Sequence, residues 1–157
     1  MYLKTILLSA IFLITNESFT KEVYINNIKL KESKSIEENE PMTEISKKEI
    51  CLSYLKKYAE KDLNSIEEMF SEDIVLRDWK IRVEGKENAL KETRKNFENA
   101  DSIEIEVLST YENKDTVAAE LKIIVDSTEQ LYVVDVITIN SESKISSIRA
   151  YLGRGDS

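Results

Sequence analysis

The chain has 157 residues, with 30 acidic and 22 basic side chains for a net charge of -8, one cysteine and no histidine. Without histidine there is no Ser-His-Asp triad, Cys-His pair or histidine metal site, and one cysteine excludes an internal disulfide or a CxxC zinc arrangement. The acidic surplus argues against nucleic acid as a partner, since phosphate binding needs clustered Lys and Arg; 41% hydrophobic and 33% charged residues suit a globular domain.

The first segment, Met1–Thr20, differs from the rest. Lys4 precedes the apolar run TILLSAIFLI, Thr5–Ile14. That run is short of the roughly 20 residues a membrane span needs, and Ser18 and Thr20 offer small side chains before a cleavage point. The pattern predicts a signal peptide over 1–20 and an exported protein, periplasmic or secreted, with no stable membrane insertion after cleavage. No cysteine follows the run, so a lipoprotein anchor is excluded. Lys4 and Glu17 cancel, so the mature chain keeps its -8 charge. Residues 21–44 are rich in Lys, Glu, Asn and Ser and contain the only proline, Pro41. They read as a charged tether, with VYINNIKL (Val23–Leu30) as an edge strand. The main domain is placed at 45–153, and 154–157 is a tail.

Ser46 and Glu49 form the two ends of a capping box and predict a helix start, with Ile45 and Ile50 as a hydrophobic staple. Ile50, Cys51, Tyr54, Leu55 and Tyr58 then make one apolar stripe, while the lysines fall mostly on the other side. Cys51 on that stripe reads as a small buried hydrophobe, because no histidine can activate it. A short second helix follows, capped by Asp62 or Asn64, with Leu63, Ile66, Met69 and Phe70 inward. From Asp73 the period becomes two. Ile74, Leu76 and Asp78 share one strand face, and Val75, Arg77 and Trp79 the other.

Ile81 and Val83 alternate before Gly85, and a third helix over 86–99 places Ala89, Leu90, Thr93 and Phe97 on one face. Four strands then run consecutively, over about 102–111, 116–125, 130–139 and 144–152. The links ENKD, DSTE and NSES are short and polar, as in antiparallel hairpins. Glu104 and Glu106 alternate with Ile103 and Ile105 and point outward. Helices followed by a strand meander predict an α+β fold, a curved antiparallel sheet with helices on one face.

Three polar residues interrupt this apolar pattern. Asp135 breaks the row Leu131, Val133, Ile137, Ile139 on what reads as a central strand. A buried carboxyl there is costly to ionise, and desolvation raises its pKa toward a neutral acid; the alternative is an Asp paired with Arg149 or with backbone donors. Asp78 continues the inward row of Ile74 and Leu76, or else serves as a strand-end turn residue. Tyr54 sits in the middle of the inward stripe of the first helix, where a hydroxyl is ordinarily satisfied locally. Two carboxyls and a phenol converging on one apolar interior describe a ligand site.

The segments YLKKYAEKDLNSIEEMFSEDIVLRDW (Tyr54–Trp79), VEGKENAL (Val83–Leu90) and ISSIRAYLG (Ile145–Gly153) resemble the nuclear transport factor 2-like superfamily, in its SnoaL-like and ketosteroid isomerase-like branch. The likeness spans about Ile45 to Gly153 and implies a cone-shaped α+β fold, with a curved antiparallel sheet packed against three N-terminal helices. It also implies a site. Tyr54 matches the helix tyrosine of the isomerase oxyanion hole. Asp78, 24 residues later, matches the base, and Asp135, 18 residues before Gly153, matches the protonated aspartic acid. Trp79 stands where the family often has Pro, and Thr93 where the steroid isomerases carry a supporting tyrosine.

The implied activity is an isomerase that moves a proton alpha to the carbonyl of a small apolar ketone. Asp78 would be the base, with Tyr54 and Asp135 on the enolate oxygen, and no metal or organic cofactor is needed. The alternative is an exported ligand-binding or interaction module without chemistry, pairing as a homodimer through an outer sheet face of Tyr132, Val134, Val136 and Trp79.

Overall fold

The computed structural model describes residues 45–155 together with two short strands, β1 (Val23–Ile25) and β2 (Ile28–Leu30). The expected signal segment and most of the tether lie outside the described residues. β1 and β2 pair antiparallel with each other, Val23 opposite Leu30 and Ile25 opposite Ile28, as a separate two-stranded sheet. The VYINNIKL piece is therefore a hairpin and not an edge strand.

In the main domain, α1 (Lys47–Ala59) starts at the expected capping box: the Ser46 side chain accepts from the Glu49 backbone N–H, and the Glu49 carboxylate accepts from that of Ser46. Such a cap is worth about 1 kcal/mol. Ile45, the expected staple partner, stays 64% exposed and adds little cover. The stripe of Ile50, Cys51, Tyr54 and Leu55 is buried as its spacing demands. Asp62 caps α2 (Leu63–Met69), which buries Ile66.

Strand β3 (Phe70–Arg77) begins at Phe70, three residues before the expected change of period. Phe70 is already extended, at φ -80° and ψ 140°, and is fully enclosed. A short β4 (Arg82–Glu84) folds back on β3. Gly85 then opens α3 (Lys86–Glu98) at φ +83°, a conformation that favours glycine. The meander is β5 (Ile103–Asn113), β6 (Thr116–Val125), β7 (Glu129–Ile139) and β8 (Ile145–Leu152), each antiparallel to the next. Residues at positive φ in its links, Lys114, Asp126, Ser127 and Ser143, close the three hairpins.

The six-stranded sheet has the order β4-β3-β8-β7-β6-β5. It is mixed, not antiparallel: β3 runs parallel to β8, with Leu76 opposite Ile148 and Arg77 opposite Arg149. Hairpin links set the direction of consecutive strands only. The pairing of β3 with β8 joins segments separated by α3 and the whole meander. A bulge at Leu108 shifts the β5–β6 register and leaves that side chain 46% exposed. The core joins Tyr54 and Leu55 of α1, Ile66, Phe70, Ile74, Ala89 and Phe97 to Leu121, Ile137 and Ile148 of the sheet. Each such large side chain contributes roughly 1.5–3 kcal/mol on burial.

Candidate functional site

A cavity of about 390 Å³ lies inside this core, between α1, α3 and the inner sheet face; Tyr54, Tyr58, Asp78, Trp79, Asn96 and Asp135 all line it. The pleat of β7 supplies Asp135. Leu131, Val133, Asp135 and Ile137 alternate with Tyr132, Val134 and Val136, and only the first set turns inward. Asp135 stands between Ala119 on β6 and Ala150 on β8. Two alanines on the flanking strands leave space over the carboxyl where larger side chains would close it.

The Asp135 side chain is buried, at 9% exposure, and loss of hydration pushes it up to about 7. Among the described residues it accepts no hydrogen bond and joins no ion pair. Arg149 does not neutralise it, because that residue faces Val136 across β7–β8 and points to the other side of the sheet. Asp135 is therefore a neutral acid below about pH 7, with its proton available to the cavity.

Tyr54 comes from the α1 stripe and is 4% exposed. Its ring rests against Tyr58 at 5.9 Å and Phe70 at 6.0 Å between centroids. Burial, then the neighbouring Tyr58, Asp135 and Cys51, hold the phenol well above its ordinary range. It stays protonated, and among the described residues its hydroxyl has no hydrogen-bond partner, unlike the locally satisfied tyrosine expected of a helix core face.

Asp78 is placed by a turn and not by the strand pleat, since β3 ends at Arg77. Its Oδ1 accepts from the backbone N–H groups of Lys80 at 2.6 Å and Ile81 at 2.7 Å. Both bonds fall on one oxygen, and the residue lines the cavity. The three expected residues thus border one cavity, two from regular elements and one from a loop.

Trp79 also leaves the strand. It is 42% exposed at the cavity wall and does not join the outer sheet face. Thr93 is buried on α3 and donates to the Ala89 carbonyl at 2.9 Å, so its hydroxyl serves its own helix. Cys51 is fully buried, and burial, then the nearby Asp135, pushes its thiol up to about 12, which leaves it unreactive.

Two cavity residues carried no signal as site candidates. Tyr58 read only as part of the apolar stripe, and Asn96 lies three positions after Thr93 on α3. The spacing of four between Tyr54 and Tyr58 was the available clue. Asn96 Nδ2 donates to the Tyr58 hydroxyl oxygen at 3.0 Å. A second depression, about 320 Å³ between α1 and β5, is lined by Leu52, Leu55, Ile105 and Val107, with the Lys56–Glu60 ion pair on its edge. No set of polar groups converges there. Among the described residues, no cluster of three or more His, Cys, Asp or Glu side chains could hold a metal.

The SnoaL-like domain family matches residues 52–148 of the chain. No curated protein matches it in sequence. Among solved structures, a nuclear transport factor 2-like protein of unknown function from Cytophaga hutchinsonii superposes with a TM-score of 0.61 at 13% identity, covering 71% of this chain and 94% of that one. A proposed ketosteroid isomerase from Kribbella flavida gives 0.62 at 12% identity, covering 71% and 80%. SalBIII, an epoxide hydrolase/cyclase-like enzyme of pyran ring formation in the polyether salinomycin, gives 0.58 at 29% identity, covering 68% and 90%. The helices, the mixed curved sheet and the match across most of the domain agree, and the chain belongs to the SnoaL-like domain family, with a nuclear transport factor 2-like fold.

Proposed function

We propose that the cavity binds a small, largely apolar ketone or enone and moves a proton alpha to its carbonyl, with no cofactor. Asp78 takes the proton and returns it at a second carbon. Tyr54 and Asp135 donate hydrogen bonds to the oxygen that gains charge in the enolate. One observation carries this reading: Tyr54 and Asp135 border one cavity, burial favours the protonated form of both, and among the described residues neither has a hydrogen-bond partner. An enolate oxygen would satisfy both donors, and one such donor contributes about 2.7–4 kcal/mol to a transition state that develops this charge.

The test uses 2-naphthol as an enolate analogue and solvent-proton exchange on cyclohexenone as the reaction. Wild type should bind the naphthol, and Asp135→Ala should lower that affinity at least 100-fold. Asp78→Asn should keep the binding and lose the exchange. Absence of naphthol binding in wild type overturns the reading. Binding without exchange favours the non-catalytic ligand-binding module.

The 29% identity to SalBIII favours a second reading, epoxide opening in the same cavity. Asp135 would then protonate the epoxide oxygen while Asp78 takes the proton of the attacking hydroxyl. Turnover of an epoxy alcohol, and none of cyclohexenone, would select it. The proposal includes export behind residues 1–20, supported by the apolar run after Lys4. It also includes a homodimer across the outer sheet face, where Tyr111, Val134 and Tyr151 are 65%, 39% and 46% exposed. Fractionation of the expressing cell and sedimentation at several concentrations check these two points.

A further inference from the structure

We infer that Tyr58, with Asn96 fixed on its oxygen, is a specificity-determining donor, and that the ligand carries a second oxygen acceptor on the Tyr58 side of the cavity. The inference rests on the cavity being the ligand site proposed above.

Tyr54 and Tyr58 are four residues apart on α1, so their side chains rise from the same helix face one turn apart. Their ring centroids are 5.9 Å apart, and Tyr58 is also clamped edge-on by Phe97 of α3 at 4.9 Å. The ring therefore has little freedom to swing out of the cavity it lines.

The direction of its hydrogen bond sets what Tyr58 can offer. Asn96 Nδ2 is the donor, so a lone pair of the phenol oxygen is occupied. The phenol carries one proton, which must point elsewhere. Among the described residues no acceptor receives it. Burial, then the nearby Asp135 and Asp78, keep the phenol protonated, although the Asn96 bond works in the opposite direction. An amide N–H on the oxygen also polarises the O–H and strengthens it as a donor.

Among the described residues, the cavity thus holds three donors without protein acceptors, Tyr54, Tyr58 and Asp135. A carbonyl or enolate oxygen can take two of them. The third calls for another oxygen on the Tyr58 side of the cavity, where the two ring centroids stand 5.9 Å apart. Opposite carbons of a six-membered ring carry substituent oxygens at about this separation. The ligand class is then a cyclic ketone or enone with a hydroxyl, ether or second carbonyl across the ring.

Two probes differ by a single atom: 4-methoxy-1-naphthol and 4-ethyl-1-naphthol, with an ether oxygen in one where the other has a methylene. Wild type should bind the methoxy compound about tenfold more tightly, the effect of one buried hydrogen bond. Tyr58→Phe should abolish the preference by bringing the methoxy compound's affinity down to that of the ethyl compound. Asn96→Asp should do the same, because a carboxylate beside Tyr58 accepts its proton; Asn96 is solvent-exposed, so this variant tests the point if Tyr58→Phe folds poorly. Tyr54→Phe should weaken both probes equally. If wild type binds both probes equally, or the preference survives in Tyr58→Phe, the inference is overturned and the site stands. If neither probe binds wild type, the site reading fails and takes the inference with it.

Discussion

The inner and outer faces of the β7–β8 pair share one backbone and hold different polar groups: a carboxyl inside, and outside Arg149, whose Nε is, among the described residues, the one fully buried side-chain polar atom without a partner. On the inner face Asp135 stands between two alanines, without a partner among the described residues, and is held neutral by loss of water. One residue along the register, on the outer face, Arg149 lies opposite Val136 and beside Arg77 of β3. There Arg77 donates to the Tyr151 hydroxyl and stacks over its ring at 5.1 Å. The pleat alone separates the acid from the guanidinium. On one face they would form an ion pair, and Asp135 would be an ionised acceptor with nothing to donate. The difference shows how a single step of register decides whether a carboxyl meets a guanidinium or a cavity.

The largest effect expected from breaking this contrast is on pH-dependent stability. Asp135 titrates at about 7 in the folded chain against an ordinary 3.8. Between these values the unfolded chain has lost the proton and the native one keeps it. Stability should therefore fall as pH rises from about 4 to 7 and level off above, by on the order of 4 kcal/mol in total. Asp135→Asn should flatten that component in urea melts taken across the range. An unchanged slope would mean that Asp135 is not the buried acid.

A second substitution moves the outer charge inside. Ala150→Arg would place a guanidinium directly opposite Asp135. The carboxyl should then titrate near its ordinary value, as followed by carbon NMR, and 2-naphthol affinity should drop about 100-fold, roughly 2.7 kcal/mol. Retained affinity with an ionised Asp135 would remove it from the donor pair.

The smallest change belongs to the outer face. Tyr151→Phe removes the hydroxyl that Arg77 meets and keeps the ring under the guanidinium. Tyr151 is 46% exposed, so the expected cost is under about 1 kcal/mol, with naphthol affinity unchanged. A loss of binding here would show that the two faces are coupled.

Much of the site was legible in the sequence because it rests on periodicity. Tyr54 falls on a helical stripe and Asp135 on an alternating row, and both repeats are local. Asp78 was legible as a residue, and of its two readings the strand-end turn holds: the strand stops at Arg77, and hydrogen bonds from Lys80 and Ile81 hold the carboxyl in a turn. Tyr58 and Asn96 gave no such signal. An aromatic residue on an apolar stripe and an asparagine on a helix are both ordinary, and only packing of α1 against α3 joins them.

By itself the sequence determined the capped first helix, the three hairpin links, the burial of one face of β6 and β7 and the interruption of the β7 face by Asp135. These follow from interactions within a few residues, where repeat length and cap chemistry suffice. Tertiary structure alone decided that β3 runs parallel to β8, that Asp135 faces two alanines while Arg149 turns away, and that Asn96 reaches Tyr58. Each depends on the register between segments distant in the chain, which is set when the whole sheet closes over the helices and not by any local pattern.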